Sequence, residues 1–338
     1  MDLFTPVVDE TLQHRNFQRL CANQNSYDGD VLNDWARGFV DRDGKFVAEF
    51  QRTFDTCFWE LYLFAVLKQY GLAVDFSHGS PDFCVTGHGG FNMEATVALH
   101  AKGTVPEYEK PGQPIPQDLN DFNRRTIIRI GNSVDNKQKK FLDSYAALPH
   151  VRSRPFVLAI TAIDGPHARL ACQRAIEAVL FGYYVDEERY LREGGELKGH
   201  QIECVLKDNG SPVDLDILLK EEFRWLSAVV FSSCASWGKV RALSSDPNPD
   251  VYFETVRYNS SGIAPLHART RKSQYVERLG EGLGIFHNPQ AEFPLDPSIF
   301  RHRDVFQAYF AEANGEWVCE RRDGQLLFRQ VFTTVARG

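Results

Sequence analysis

The segment from Phe54 to Thr96 limits the fold of this 338-residue chain more than any other stretch. Between Phe54 and Leu67 the only acids are Asp55 and Glu60, and Cys57, Leu63, Phe64 and Leu67 flank Glu60 at helical spacing. A helix this apolar is covered on more than one side. A carboxylate among such neighbours is costly to bury unless a hydrogen bond, an opposite charge or a cation answers it.

The order of elements follows from local signals. The periodicity predicts a helix from about Phe46 to Tyr70, stopped by Gly71. Strands follow over Leu72–Ser77, Asp82–Thr86 and Phe91 to about His100, separated by the turns His78-Gly79-Ser80-Pro81 and Gly87-His88-Gly89-Gly90. Side chains alternate along a strand, so Asp82, Cys84 and Thr86 share a face, as do Asn92, Glu94 and Thr96. With a three-residue loop at His88-Gly89-Gly90, Cys84 falls opposite Glu94 and Asp82 opposite Thr96, and both acids lie on one face. A two-residue loop sends Glu94 to the other face and destroys the cluster.

A proline-rich connector, 103–120, with Pro106, Pro111, Pro114 and Pro116, leads to a helix from about Leu119 to Leu148. Its apolar stripe is Ile127, Ile130, Val134, Phe141, Tyr145 and Leu148, with Gln138 inside the stripe and Lys137 at its border. Phe156–Ala162 is a continuous apolar run suited to a covered central strand, and a helix over about His167–Tyr184 follows. Later strands are expected at Gln201–Lys207, Trp225–Ser232 and Gly324–Val335, with a turn at Asn209-Gly210 and a helical Glu221–Trp225.

The order helix, three strands, helix, strand, with Pro81-Asp82 opening one strand and Glu94-Ala95-Thr96 on the next, resembles the PD-(D/E)XK, or restriction-endonuclease-like, nuclease superfamily. The resemblance spans roughly residues 47–185. It implies an α/β fold with an αβββαβ core and a mixed central sheet flanked by helices. Residues 1–46 become a helical lead-in and 186–338 a C-terminal elaboration packed on the core.

The resemblance also implies chemistry. Asp82 and Glu94 take the places of the two acids that bind a divalent metal, and Glu60 that of a supporting acid on the preceding helix. Carboxylate oxygens suit a hard cation, Mg2+ or Mn2+, which polarises a phosphate and lowers the pKa of an attacking water. The family's lysine two residues past the second acid is replaced by Thr96. A hydroxyl cannot supply that positive charge, so an ammonium from the neighbouring helix is expected, Lys137 first and Lys140 second. Gln138 matches a helix glutamine seen in several nuclease branches, and Thr96, Lys140 and Arg129 are candidate substrate contacts. The expected activity is metal-dependent hydrolysis of phosphodiester bonds in DNA or RNA. The alternative is an inactive nuclease-like fold that binds nucleic acid or protein.

Charge bears on both readings. A net charge of −7 argues against coating nucleic acid over the whole surface. Residues 121–154 nevertheless carry eight cationic side chains against three acidic ones, a bias that fits either a solvated helix face or a face that follows phosphates. The seven cysteines form no CxxC pair, and Met1-Asp2 is followed by no sustained apolar run. The expectation is therefore reduced thiols in the cytoplasm, no membrane span, and a homo-oligomer left open.

Other readings of the same residues compete. Asp82 after Pro81 can start a strand or cap a turn, Glu94 can pair with Arg129, and Glu60 can accept from a tyrosine. His78, His88 and His100 match no zinc spacing. Ser232-Ser233-Cys234 and Ser236-Trp237-Gly238 lack a GxSxG elbow. Two of the carboxylates could also serve glycoside hydrolysis in an open, sugar-lined cleft.

Overall fold

The computed structural model describes the chain except residues 23–26, 88, 101–102, 104–113, 164, 166, 195–197, 262–263, 312–314 and 335–338. Most of the proline-rich connector and His88 thus lie outside the described residues. The molecule is an α/β protein built on one mixed eight-stranded sheet flanked by helices.

The N-terminal half builds half of that sheet. Helix α1 (Phe54–Gln69) is buried along nearly its whole length. The helix expected from Phe46 is broken at Thr53, whose φ of −124° and ψ of 43° leave the helical region, and Phe46–Arg52 forms a separate short helix. Thr53 Oγ1 donates to the Glu49 carbonyl, a local bond that competes with helix propagation. At the other end Gly71 adopts φ +72°, and Leu72 N–H closes back on the Leu67 carbonyl, the left-handed cap that glycine provides.

Strands β1 (Ala73–Asp75), β2 (Phe83–Thr86) and β3 (Phe91–Val97) follow as an antiparallel meander. Helix α2 (Leu119–Lys140) then crosses over to β4 (Phe156–Thr161), which runs parallel to β3. The expected helix over His167–Tyr184 divides into a single turn at Ala168–Ala171 and α3 (Arg174–Phe181). Cys172 between them has φ +44°, and Gly182 at φ +64° ends α3 so that Tyr183 starts a short strand.

Residues 186–338 do more than cover this core. They contribute β5 (Ala228–Phe231), β6 (Leu283–His287), β7 (Val305–Ala311) and β8 (Glu316–Glu320), which extend the sheet in the order β1 to β8. The elaboration is half of the central sheet. The Asn209-Gly210 turn joins two short strands, Cys204–Leu206 and Pro212–Asp214. Glu221–Phe223 is a short helical turn, and Leu326–Thr333 joins a separate three-stranded sheet with Val251–Arg257 and Leu266–Arg271. No described helix is long and apolar enough to cross a membrane.

Parity along β4 separates two cores. Val157 and Ala159 face α1 with Trp59, Phe83, Met93 and Val230. Leu158 and Ile160 face α2 and α3 with Ile127, Ile130, Val134 and Val179. Trp59 Nε1 donates to the Ala159 carbonyl at 3.0 Å, tying α1 to the sheet's centre. Replacing Trp59 with Phe removes that donor and leaves a buried acceptor. The expected loss is about 1–3 kcal/mol of unfolding free energy, read by urea denaturation with the m-value unchanged.

Candidate active site

The site forms where β3 loses its antiparallel neighbour. The β2–β3 register pairs Phe83 with Met93 and Cys84 with Asn92. Cys84 is therefore not opposite Glu94 as the three-residue loop required. The connection is wider, with Gly87, Gly89 and Gly90 all at positive φ, and the pairing shifts by two residues. An even shift preserves faces. One step beyond the Phe83–Met93 pair, Asp82 comes level with Glu94.

At that level β2 ends and the edge of β3 is bare. The Asp82 carboxylate fills the place of the next ladder partner, its Oδ2 accepting from Ala95 N–H at 2.7 Å. The Ala95 carbonyl accepts from Lys137 Nζ at 3.3 Å. The same ammonium donates to Glu94 Oε1 at 2.7 Å, and Lys140 Nζ reaches that oxygen at 2.8 Å. Lys137 and Lys140 are three residues apart on α2 and so share a face. After Lys140 the helix widens into a π turn, Phe141–Tyr145, which brings the Tyr145 hydroxyl to Glu94 Oε2 at 3.1 Å.

The electrostatics show what is still unanswered. Burial acts to raise the Glu94 pKa, but the two ammonium groups outweigh it and hold this carboxyl below its ordinary value. Asp82 is pushed up to about 6, first by burial and then by the Glu94 charge, against the opposing Ala95 N–H bond. Glu60 is pushed up to about 8 by burial, then by Asp82 and Glu94, with Arg42 opposing. Among the described residues, neither Glu60 nor Asp82 Oδ1 has a hydrogen-bond partner. Three carboxylates share two ammonium groups, and the deficit of positive charge falls on Glu60 and Asp82.

The remaining candidates divide. Thr96 lies two residues beyond Glu94 on the same face, half-buried. Gln138 is not brought to the acids, since its amide donates to the Glu222 carbonyl at 3.2 Å; one helical step from Lys137 rotates it about 100° away. Arg129 neither pairs with Glu94 nor joins the cluster. It sits two turns earlier on α2, donates to Thr126 Oγ1 and lies beside Gly165. His78 stacks on His150 with ring centroids 3.8 Å apart, which is not a zinc site.

Two contributors escaped the sequence reading. Tyr145 read only as part of an apolar stripe, although a buried tyrosine hydroxyl needs a partner. Arg42 lay in the expected helical lead-in, yet its Nη1 donates to the carbonyls of His78 and Pro81 and so braces the segment that delivers Asp82.

Whether the residues fit a metal is a matter of donors. Among the described residues no three His, Cys, Asp or Glu side chains are gathered to hold an ion as a set. Mg2+ does not require such a set, because it keeps several waters and binds through one or two carboxylates plus a substrate phosphate. Asp82 Oδ1 and the Glu60 carboxylate are unengaged oxygens in a negatively biased site, and they fit that role. No protein-family model, characterised protein or solved structure matches the chain.

The pKa shifts set a pH dependence. Above its ordinary value of 4.5 the unfolded chain has released the Glu60 proton, while the folded protein keeps it until about pH 8. The folded state therefore binds more protons across that window, and stability falls as pH rises through it. Asp82 adds the same sign between 3.8 and about 6. In thermal and urea melts without divalent cations, Glu60→Gln is expected to be more stable than wild type by about 2–4 kcal/mol at pH 9. It should show almost no difference at pH 4.

Proposed function

We propose that the chain is a metal-dependent nuclease that hydrolyses phosphodiester bonds of DNA or RNA at the Glu60–Asp82–Glu94 cluster. The observation that carries this reading is the meeting of Asp82, Glu94 and Lys137 on the bare backbone of Ala95. Two carboxylates and an ammonium thus gather at one point of a strand edge, where Asp82 and Lys137 stand in for a ladder partner.

The residues divide the work. Asp82 and Glu60 would hold Mg2+ or Mn2+, with Glu94 joining them if one ammonium moves to the substrate. A bound divalent cation supplies Lewis-acid activation of the phosphate and a water of lowered pKa. Lys137 supplies the positive charge that Thr96 cannot, from a helix instead of from the strand. Lys140 is half-exposed, held charged by Glu94 and Tyr145 despite partial burial, and is placed to meet an incoming phosphate. Tyr145 orients Glu94. The half-buried Thr96 continues the same face outward.

The satisfied state of Glu94 favours one rival reading, a structural ion cluster in a fold that binds nucleic acid without cutting it. Calorimetric Mg2+ and Mn2+ titrations of wild type and Asp82→Asn separate the two, because a structural cluster takes up no ion. Cleavage assays on single-stranded DNA, double-stranded DNA and RNA complete the test. Asp82→Asn and Lys137→Met are each expected to lower kcat by about 10²-fold or more, as loss of one charge-stabilising group does, with the fold intact by circular dichroism. Cleavage that survives Asp82→Asn would end the proposal.

A further inference from the structure

A second concavity lies at the carboxyl ends of the neighbouring parallel strands β4 and β5. After β4 the chain passes to α3, whose Ile176 and Val179 belong to one core. After β5 it passes to α4 (Trp237–Leu243), whose Val240 belongs to the core on the opposite face. Connections that leave adjacent parallel strands toward opposite faces open a crevice between them, the position at which open α/β sheets bind ligands. A cavity of about 160 Å³ occupies it, lined by Ile163 and Gly165 after β4 and by Ser233, Ser236 and Gly238 after β5.

Two arginines stand among the described polar residues of the lining. Arg329 enters from the strand Leu326–Thr333 with its side chain 1% exposed. Its Nη1 pairs with Glu277, and its Nη2 donates to the Cys234 carbonyl at 2.6 Å and lies 3.4 Å from Ser236 Oγ. Its Nε is buried and has no hydrogen-bond partner. A buried donor left unmet costs free energy that a ligand can return. Behind it Lys239, also fully buried, pairs with the same Glu277, so one carboxylate serves two cationic side chains. Arg169 lines the same wall and donates to Gln330. Among the described lining residues the one acid, Asp55, lies 3.3 Å from Asn16 and 3.8 Å from His14.

Glycine keeps the place open. A β-carbon at position 238 would lie 2.9 Å from both Nε and Nη2 of Arg329 and 3.2 Å from Val331. The cavity shares Trp237, Gly238 and Val331 with a wider outer groove that also carries Arg19, Tyr27 and Arg241.

We propose that this cavity is a binding site for a phosphate group, with Arg329, Arg169 and the Ser233 and Ser236 hydroxyls as its donors and the outer groove receiving whatever the phosphate is attached to. It is separate from the carboxylate cluster and does not depend on the nuclease reading. A bound anion would offer the Arg329 Nε an acceptor and place negative charge beside the two basic side chains that share Glu277.

The test is binding to the full chain, by thermal shift and calorimetry, of inorganic phosphate, a 5′-mononucleotide, and an oligonucleotide with and without a 5′-phosphate, with chloride as the control anion. Saturable stabilisation by phosphate-bearing probes but not by chloride is expected. Gly238→Ala and Arg169→Gln should each weaken it at least tenfold. Tighter binding of the mononucleotide or of the 5′-phosphorylated oligonucleotide than of inorganic phosphate identifies the attached group. Since Gly238→Ala crowds a buried guanidinium and could unfold the chain, Arg169→Gln on the cavity wall is the deciding variant. No saturable binding at millimolar phosphate or nucleotide, or equal binding by folded Arg169→Gln, overturns the proposal.

Discussion

The Ala95 backbone is the point on which the candidate site depends. A β-strand residue directs its N–H and C=O to the same side, and at Ala95 that side has no neighbouring strand because β2 begins one pair earlier. Both groups would be costly to leave unpaired where water is scarce. Asp82 satisfies the donor and Lys137 the acceptor. Ending one strand a residue early thus creates a demand for one acceptor and one donor at a fixed spacing, which Asp82 and Lys137 meet.

That demand explains why the charges are unevenly satisfied. Glu94 projects from the next position and gathers both ammonium groups and the Tyr145 hydroxyl. Asp82 keeps one oxygen for the backbone and has one over. Glu60, delivered by α1, feels the negative charges of Asp82 and Glu94 more strongly than the positive charge of Arg42. The cluster tolerates the imbalance by holding protons on Glu60 and Asp82 at pH values where they would ordinarily be lost.

The crevice between β4 and β5 rests on a different constraint, the handedness and length of the connections. Because α3 and α4 lie on opposite faces of the sheet, a space remains between the strand ends, with Trp237 and Gly238 at the start of α4 on its wall. Arg329 reaches into it from the smaller sheet, and its ion pair with Glu277 offsets part of the desolvation cost of burying the guanidinium. Two polar sites thus arise from two topological causes, a shortened strand and a switch in the direction of connections.

The local signals in the chain determined a good deal. The apolar helix with Glu60, its end at Gly71, the three strands, the long helix and the covered strand Phe156–Thr161 are all in place, because each is specified by residues within a few positions of one another. The shared face of Asp82 and Glu94 followed from parity, which survives an even shift in register. The break at Thr53 and the splitting of the 167–184 helix turned on single backbone conformations that periodicity does not report.

Long-range geometry decided the rest. Nothing within residues 186–338 says that four of their strands continue the first four, since strand pairing depends on edges supplied from far away in the chain. Gln138 and Tyr145 looked alike in the helical stripe, yet a π turn sends one to Glu94 and packing sends the other to Glu222. The sequence named the acids and the lysines. Their meeting at one bare strand edge required the fold, because a hydrogen-bond vacancy exists only once two strands have paired and one of them has stopped.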